Sequence, residues 1–237
     1  ILLAEPQPLL PSWEWCEQAI VTEDASKLWL ETNGFSVPGG RVVSAQKVCA
    51  AASEVGYPVA LKMISPLLAH KTEAGAVVLD LTDSDALFRA TIQMTIDVTS
   101  YNPKAVTDIF LVEAMSPTPL AELIITLRRD PQFGASLVLG SGGILVELVG
   151  DVVTLLLPTS PDNIESAIQT LRVGRLLEGF RGRPKADIQN IASQINRLCI
   201  TYIENYAIIS EIEINPLFVY ADKVCAVDAL IHRPSLT

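Results

Sequence analysis

Long apolar runs, basic clusters and closely spaced cysteines are all missing from this sequence, and each absence excludes a class of protein. Hydrophobic residues make up 49% of the 237 residues, yet no apolar run approaches the roughly 18 residues needed to cross a bilayer, so we expect no membrane span. Acidic residues outnumber basic ones, 27 to 17, which gives a net charge of -10 without a basic stripe. We therefore expect no nucleic-acid partner, because phosphate backbones require clustered positive charge.

The cysteines lack CxxC spacing, and each lies in or beside an apolar pattern, where a buried thiol is the simplest interpretation. They are Cys16, Cys49, Cys199 and Cys225. This usage favours a reducing, cytoplasmic setting. The chain opens at Ile1 without a basic-then-apolar leader, so we expect no secretion signal, and a piece cut from a longer polypeptide would look the same.

Hydrophobic periodicity predicts an α+β (α/β) chain with two lobes after an N-terminal arm. We assign residues 1–22 to an extended arm or linker, 23–115 to a helix plus a small lobe, and 116–237 to a larger, sheet-rich lobe. A cleft between two such lobes is a common place for a ligand. The predicted helices cover 23–32, 45–55, 84–101, 160–171 and 187–206, and the predicted strands cover 57–64, 76–81, 108–115, 122–129, 135–140, 144–149, 151–157, 217–220 and 224–227.

Oxygen-bearing side chains alternate with isoleucines near the C-terminus. Because side chains of a strand alternate between its faces, Glu211, Glu213 and Asn215 share one face. Asn215 and Asp228 lie about equally far from the turn at 221–223, so they should face each other across a hairpin. Such oxygens suit Mg²⁺, which takes one or two protein ligands. The alternative is an edge strand with a solvated acidic face.

Two basic features lie close together in the first lobe. Lys62 sits in an apolar strand, where an ammonium group either extends to solvent at a strand end or binds an anion such as a nucleotide phosphate. A loop follows with His70, Lys71 and Gly75. His70 is either structural or a nucleophile that carries a covalent intermediate, with Lys71 neutralising transferred charge. Gly75 would let backbone amides approach phosphate oxygens.

A third feature combines a turn with a glycine-rich segment. The residues RRDPQFG, starting at Arg128, predict a hairpin whose type I turn begins at Asp130. Small residues then fill 140–143, including Gly142 and Gly143. Such residues weaken a strand unless something must come close, so a phosphate or a docking loop would fit.

Taken together and in this order, GYPVALK, SPLLAHKTEAG, RRDPQFG, LGSGGILVEL, EIEINPLFVY and AVDALI resemble the ATP-grasp domain, or β subunit, of nucleoside-diphosphate-forming acyl-CoA synthetases. The resemblance runs from about Glu23 to His232. It implies the ATP-grasp fold, two lobes around a nucleotide cleft, with ATP or ADP and Mg²⁺ as cofactors. It also implies the reaction acyl-CoA + ADP + phosphate ⇌ acid + ATP + CoA, run through an acyl phosphate and a phosphohistidine.

The resemblance further implies a role for individual residues. His70 and Lys71 fall at the catalytic loop that shuttles the phosphoryl group. The nucleotide side comprises Lys62, Gly75, the inter-lobe strand with Val112, Glu113 and Met115, and Glu122, Arg128, Gly142 and Gly143. The Mg²⁺ ligands are Glu213, Asn215 and Asp228, with Glu213 standing where the family commonly has aspartate. CoA and the small carboxylic acid would bind mainly to a CoA-binding, phosphohistidine-bearing α subunit or fused domain.

Two departures from the family pattern keep an alternative function open. Ala76 replaces a second glycine after Gly75, and Leu155 replaces a frequent arginine. They are compatible with a regulatory ATP-grasp domain of a fused protein acetyltransferase in which ligase activity is reduced or lost. A β chain of a succinate- or malate-type CoA ligase is a second alternative, disfavoured by the His70-Lys71 loop.

Overall fold

The computed structural model of the chain describes residues 20–68, 71–142 and 150–234. The described helices are α1 (Glu23–Thr32), α2 (Val48–Val55), α3 (Ser84–Tyr101), α4 (Pro161–Thr170), α5 (Gly174–Leu177) and α6 (Ile188–Asn205). The strands are β1 (Ile20–Val21), β2 (Gly40–Ser44), β3 (Val59–Met63), β4 (Val77–Leu81), β5 (Ile109–Ala114), β6 (Ala121–Asp130), β7 (Gly134–Ser141), β8 (Val152–Leu156), β9 (Glu211–Val219), β10 (Val224–Ala226) and β11 (Ala229–His232).

The chain divides into two compact units, and the smaller one comprises residues 22–24 and 38–117. Its four-stranded sheet has the order β2-β5-β3-β4 with every pairing antiparallel. Apolar side chains from β3, β5, α2 and α3 form its hydrophobic core. Both central strands are therefore buried, and polar groups carried on them lie in a low-dielectric environment.

Helix α3 illustrates why these residues form these elements. The side chain of Asp83 accepts a hydrogen bond from the Ala86 N–H at 2.8 Å, which satisfies a donor at the helix start. Leu87, Met94 and Val98 recur at helical spacing and are buried against the sheet. A local cap and an apolar stripe thus fix both the start and the orientation of this helix.

Among the described residues, the larger unit comprises 20–21, 25–37, 118–142 and 150–234. The described part of its sheet contains seven strands, six in the order β1-β11-β9-β6-β7-β8 and β10, which pairs with β9. Buried residues of α4 and α6, including Ile164, Ile168 and Ile195, join those of the central strands in one core. The helices therefore cover one face of the sheet, and the alternating, less buried positions of β9 carry Glu211, Glu213 and Asn215.

Most predicted elements are present, and the differences have identifiable causes. Ser44 makes no side-chain cap, and a 3-10 turn over 45–47 precedes α2. The short strands β1 and β2 were not predicted, because two to five residues give too little periodicity and β2 begins at a glycine. The predicted strand over 144–149 lies outside the described residues.

The two compact units do not follow the boundaries of the predicted lobes. The structure places residues 25–37 with the larger unit, whereas the sequence assigned them to the smaller lobe. As lobes of a functional protein, 23–115 and 116–237 stay a prediction. In the described part of the chain, every helix is too short or too polar to cross a membrane.

Candidate functional site

A buried group of charged side chains lies in the smaller unit, centred on Lys62. The side chain of Lys62 is 5% exposed, and its Nζ donates to Glu23 Oε1 at 2.5 Å and lies 3.1 Å from Glu113 Oε2. Every residue of β3 is buried. The alternative in which Lys62 extends to solvent at a strand end is therefore wrong, since its ammonium group is held by carboxylates inside the unit.

Lys71 belongs to the same group. Its Nζ lies 3.2 Å from Glu23 Oε2, and its side chain is 6% exposed. The loop it opens is closed by the Ala76 N–H, which donates to the Lys71 carbonyl at 2.7 Å. Two ammonium groups thus face two carboxylates, so the formal charges of these four side chains cancel. His70 lies outside the described residues.

Gly75 has a structural reason of its own. Its φ is +66°, and a Cβ built on it would lie 2.9 Å from the Cβ of Asp97 on α3. Glycine is required here by the backbone conformation and by the close approach of the helix. The predicted approach of phosphate to the Gly75 backbone stays a prediction, while Ala76 is fully buried in the core.

The predicted inter-lobe strand is β5, which runs between β2 and β3. Val112 is fully buried, and the Glu113 carboxylate points to Lys62 rather than away from the unit. The Ala114 N–H donates to Gly39 and the Met115 N–H to Pro58, at 2.9 and 3.2 Å. In this conformation an adenine base at this strand must use other groups than these two donors.

The C-terminal hairpin of the larger unit has the predicted register. The Asn215 N–H donates to the Asp228 carbonyl at 3.1 Å, and the Val227 N–H donates to the Pro216 carbonyl at 3.1 Å. β10 continues this pairing along the C-terminal part of β9, and β11 continues it along the N-terminal part. The expectation that Asn215 and Asp228 face each other is therefore confirmed.

Side chains of β9 alternate between the core and the opposite face. Ile212 and Ile214 are fully buried in the core, whereas Glu211, Glu213 and Asn215 are half-buried. Glu213 pairs with Leu230 on β11 and with Thr126 on β6. The acidic positions thus lie within the sheet, between two partner strands, and the alternative of an edge strand is wrong for this segment.

Glu213, Asn215 and Asp228 offer two carboxylates and one amide oxygen. Among the described residues no group of three or more histidine, cysteine, aspartate or glutamate side chains could hold a metal ion. The two carboxylates and the amide oxygen fit Mg²⁺, which keeps several waters and binds one or two carboxylates together with substrate phosphates.

Three other predicted nucleotide residues lie on or next to β6. The Gly142 N–H donates to the Glu122 carbonyl at 2.7 Å, and a Cβ on Gly142 would lie 2.8 Å from the Leu123 carbonyl carbon. The small residue at this position is thus explained by the approach of β6, without a ligand. Arg128 is exposed and lies opposite Glu211 of β9 in the strand register. Gly143 lies outside the described residues.

The predicted turn after Arg129 is confirmed. The Asp130 carboxylate accepts hydrogen bonds from the Phe133 N–H at 2.9 Å and from the Gln132 N–H at 2.8 Å. These bonds favour the ionised form and lower the pKa of Asp130 below its ordinary value. The turn is therefore stabilised locally by the Asp130 carboxylate, as the Asp-Pro pair in the sequence predicts.

Glu23 is the site residue that sequence reasoning missed. It was assigned only to the start of a helix, yet it is 3% exposed and contacts both Lys62 and Lys71. A glutamate in the first turn of a helix is common, because the helix dipole favours negative charge there. No sequence signal distinguished this glutamate from an exposed one.

An antiparallel sheet with a buried lysine and a second sheet with an acidic hairpin are the features expected of an ATP-grasp domain. The family comparison agrees, since residues 15–232 match the ATP-grasp domain family. The β subunit of ADP-forming acetate–CoA ligase I of Pyrococcus furiosus is 32% identical over 218 residues, which cover 90% of this chain and 91% of that one. The chain therefore belongs to the ATP-grasp family of ADP-forming acyl-CoA synthetases.

A longer relative and solved structures extend this result. ADP-forming acetate–CoA ligase I of Archaeoglobus fulgidus is 32% identical over 200 residues, 84% of this chain but 29% of that one. The dinucleotide-forming acetyl-coenzyme A synthetase 1 of Candidatus Korarchaeum cryptofilum, with coenzyme A and Ca-AMPCP, has a TM-score of 0.84 at 33% identity and covers 91% of this chain and 94% of that one. A second structure of it contains Mg-AMPPCP and a phosphohistidine segment that points towards the nucleotide site, with a TM-score of 0.75 at 31% identity and coverage of 91% and 93%.

Proposed function

We propose that this chain is the nucleotide-binding, phosphoryl-transferring component of an ADP-forming acyl-CoA synthetase. The observation that carries the proposal is the match, over nearly the whole of both chains, to a β subunit of such a ligase. The reaction is acyl-CoA + ADP + phosphate ⇌ carboxylic acid + ATP + CoA. These matches favour the ligase component over the regulatory domain of an acetyltransferase.

The cofactors of this function are ATP or ADP and Mg²⁺. Glu213, Asn215 and Asp228 hold the metal ion, whose chemistry is to neutralise charge on the phosphate oxygens. Lys62 supplies an ammonium group for the phosphates, and Glu113 keeps that group in place within the unit. Fixed positive charge of this kind suits phosphoryl transfer, in which the protein chiefly positions the reacting groups and neutralises charge on the phosphate oxygens.

The transfer itself belongs to the loop that contains His70. In the direction of ATP use, a ring nitrogen of His70 forms a bond to the γ-phosphorus while the bond from that phosphorus to the β,γ-bridging oxygen breaks and ADP leaves. Lys71, beside it in the sequence, neutralises the transferred charge. The phosphoryl group then passes to the partner that binds CoA and the acid.

The partner is a CoA-binding, phosphohistidine-bearing α subunit or a domain of the same polypeptide. Relatives of both kinds support this, because one matched chain is a separate β subunit and another is a longer single chain. Small carboxylic acid and CoA bind mainly to that partner. A cytoplasmic location fits a substrate set of this kind and stays a prediction.

The decisive experiment combines the chain with a CoA-binding partner. ATP, Mg²⁺, CoA and a panel of short carboxylic acids are supplied, and thioester formation is measured. We expect thioester that requires every component, and ATP-dependent phosphorylation of the chain at His70. A fully assembled mixture that binds nucleotide but forms neither thioester nor phosphohistidine would favour the regulatory alternative.

A further inference from the structure

One carboxylate in the smaller unit contacts two lysines that have separate proposed roles. Glu23 Oε1 accepts from Lys62 Nζ at 2.5 Å, and Glu23 Oε2 lies 3.2 Å from Lys71 Nζ. The Glu23 side chain is 1% exposed. Each oxygen of the carboxylate lies within ion-pair distance of one ammonium group. A movement of either lysine therefore changes the electrostatic environment of the other.

The location of Glu23 favours a charged carboxylate at this contact. Glu23 is the first residue of α1, and residues 22–24 belong to the same compact unit as both lysines. The partial positive charge at a helix N-terminus favours a carboxylate there. Glu23 is thus held by two partners within its own unit, and it cannot follow one lysine without losing the other.

Burial makes the contact energetically important. With Glu113 as the second carboxylate, the four side chains are neutral in sum and each is at most 6% exposed. Removing one charge from a buried ion pair leaves its partner uncompensated, which is far more costly than at the surface. Replacing Glu23 would leave Lys62 and Lys71 with Glu113 alone among these carboxylates.

The geometry points to Glu23 as a positioning residue that couples nucleotide binding at Lys62 to the catalytic loop at Lys71. The inference rests on the proposed function and adds to it a residue outside the predicted site. Phosphate bound at Lys62 competes with Glu23 for the same ammonium group. The Glu23 carboxylate then interacts more strongly with Lys71. Nucleotide binding thereby changes the contacts of Lys71, which follows His70 in the sequence.

A double-mutant cycle on the full 237-residue chain tests this coupling. Calorimetry measures the Kd of Mg-AMPPCP, which cannot transfer its γ-phosphoryl group, for the wild type, Glu23→Gln, Lys71→Met and the double variant. We expect Lys71→Met to change the Kd at least about 5-fold in the wild-type background but less than about 2-fold when Glu23 is Gln. Glu31→Gln is the matched control, because Glu31 is exposed on the same helix, and it should leave the Kd unchanged.

A purely structural Glu23 would lower the melting temperature and leave the effect of Lys71→Met equal in both backgrounds, which overturns the inference. Should Glu23→Gln not yield folded protein, Glu23→Asp keeps the charge on a side chain one methylene shorter. In that background, Lys71→Met must change the Kd of Mg-AMPPCP by a smaller fold than it does in the wild type. An unchanged fold change overturns the inference. If wild-type chain fails to bind Mg-AMPPCP, the proposed function falls as well, whereas binding without coupling removes only the role of Glu23.

Discussion

At the scale of single residues, the buried lysines and the acidic C-terminal hairpin depend on different contacts. Lys62 is compensated within its own unit, because Glu23 and Glu113 both reach its ammonium group. Asn215 and Asp228 instead pair through their backbones in one hairpin, where the Asn215 N–H donates to the Asp228 carbonyl. A buried, neutral cluster resists rearrangement, whereas carboxylate and amide oxygens are the ligands that Mg²⁺ prefers.

The first prediction concerns metal binding at Asp228. Asp228→Ala should weaken binding of Mg-ATP by about 10-fold or more while changing binding of free ATP by less than about 2-fold, because loss of a ligand affects only the metal complex. Calorimetry with and without Mg²⁺ measures both constants. Asp222→Ala is the control, since Asp222 is exposed in the turn of the same hairpin. Equal weakening of Mg-ATP and free ATP would argue against metal ligation.

The second prediction concerns His70. His70→Ala should reduce ATP formation in the assembled enzyme by at least about 1000-fold, because the phosphoryl group loses its acceptor, while the Kd for Mg-ATP stays within about 3-fold. Turnover and calorimetry measure the two effects. His232→Ala controls for loss of a histidine as such. Near-normal turnover of His70→Ala would remove the histidine relay from the mechanism.

At the scale of elements, local capping decided which helices could be predicted. Asp83 and Ser160 each accept a hydrogen bond from a backbone N–H in the first turn, and each of the two helices begins at the residue after its cap. Ser44 makes no such bond, and there the helix begins later. A capping residue in the sequence is thus informative only when its side chain is used.

The third prediction concerns the Asp83 cap. The hydrogen bond from the Ala86 N–H is the main cause of the lowered pKa of Asp83. The ionised carboxylate therefore stabilises the folded chain. This stability is present above the ordinary carboxylate pKa and is lost as pH falls through the lowered one. Asp83→Ala should therefore lower Tm by about 2–4 °C at pH 7, and the difference from wild type should shrink below about pH 4.

Thermal unfolding at several pH values measures this effect. Asp85→Ala is the matched control, because Asp85 is an exposed acid in the same first turn. We expect a smaller loss for the control. A difference between Asp83→Ala and wild type that grew on acidification would contradict the capping role, since the sign of the linkage would be reversed.

At the scale of the whole molecule, two units with separate cores carry the two charged groups. Lys62 and Lys71 belong to the smaller unit, and the acidic hairpin belongs to the larger one. A ligand that binds only the folded chain would stabilise it, because binding to the folded state alone shifts the unfolding equilibrium.

The fourth prediction follows from this linkage. Mg-ATP at about 100 times its Kd should stabilise the chain by about 2.7 kcal/mol, which corresponds to a rise in Tm of roughly 5–10 °C. Chelation of Mg²⁺ with EDTA should remove most of that rise. Thermal unfolding followed by circular dichroism measures it, and an equal rise with and without Mg²⁺ would contradict a role for the metal.

The sequence by itself determined the family, most elements and the register of the C-terminal hairpin. These features depend on local information: apolar periodicity, the Asp-Pro turn at Asp130, the Asp83 cap and the equal spacing of Asn215 and Asp228 from their turn. Only the tertiary structure decided that Glu23 lies between Lys62 and Lys71 and that Glu113 points to Lys62. Those contacts join residues far apart in the chain, and a glutamate looks the same in sequence whether folding buries it against lysines or leaves it in water.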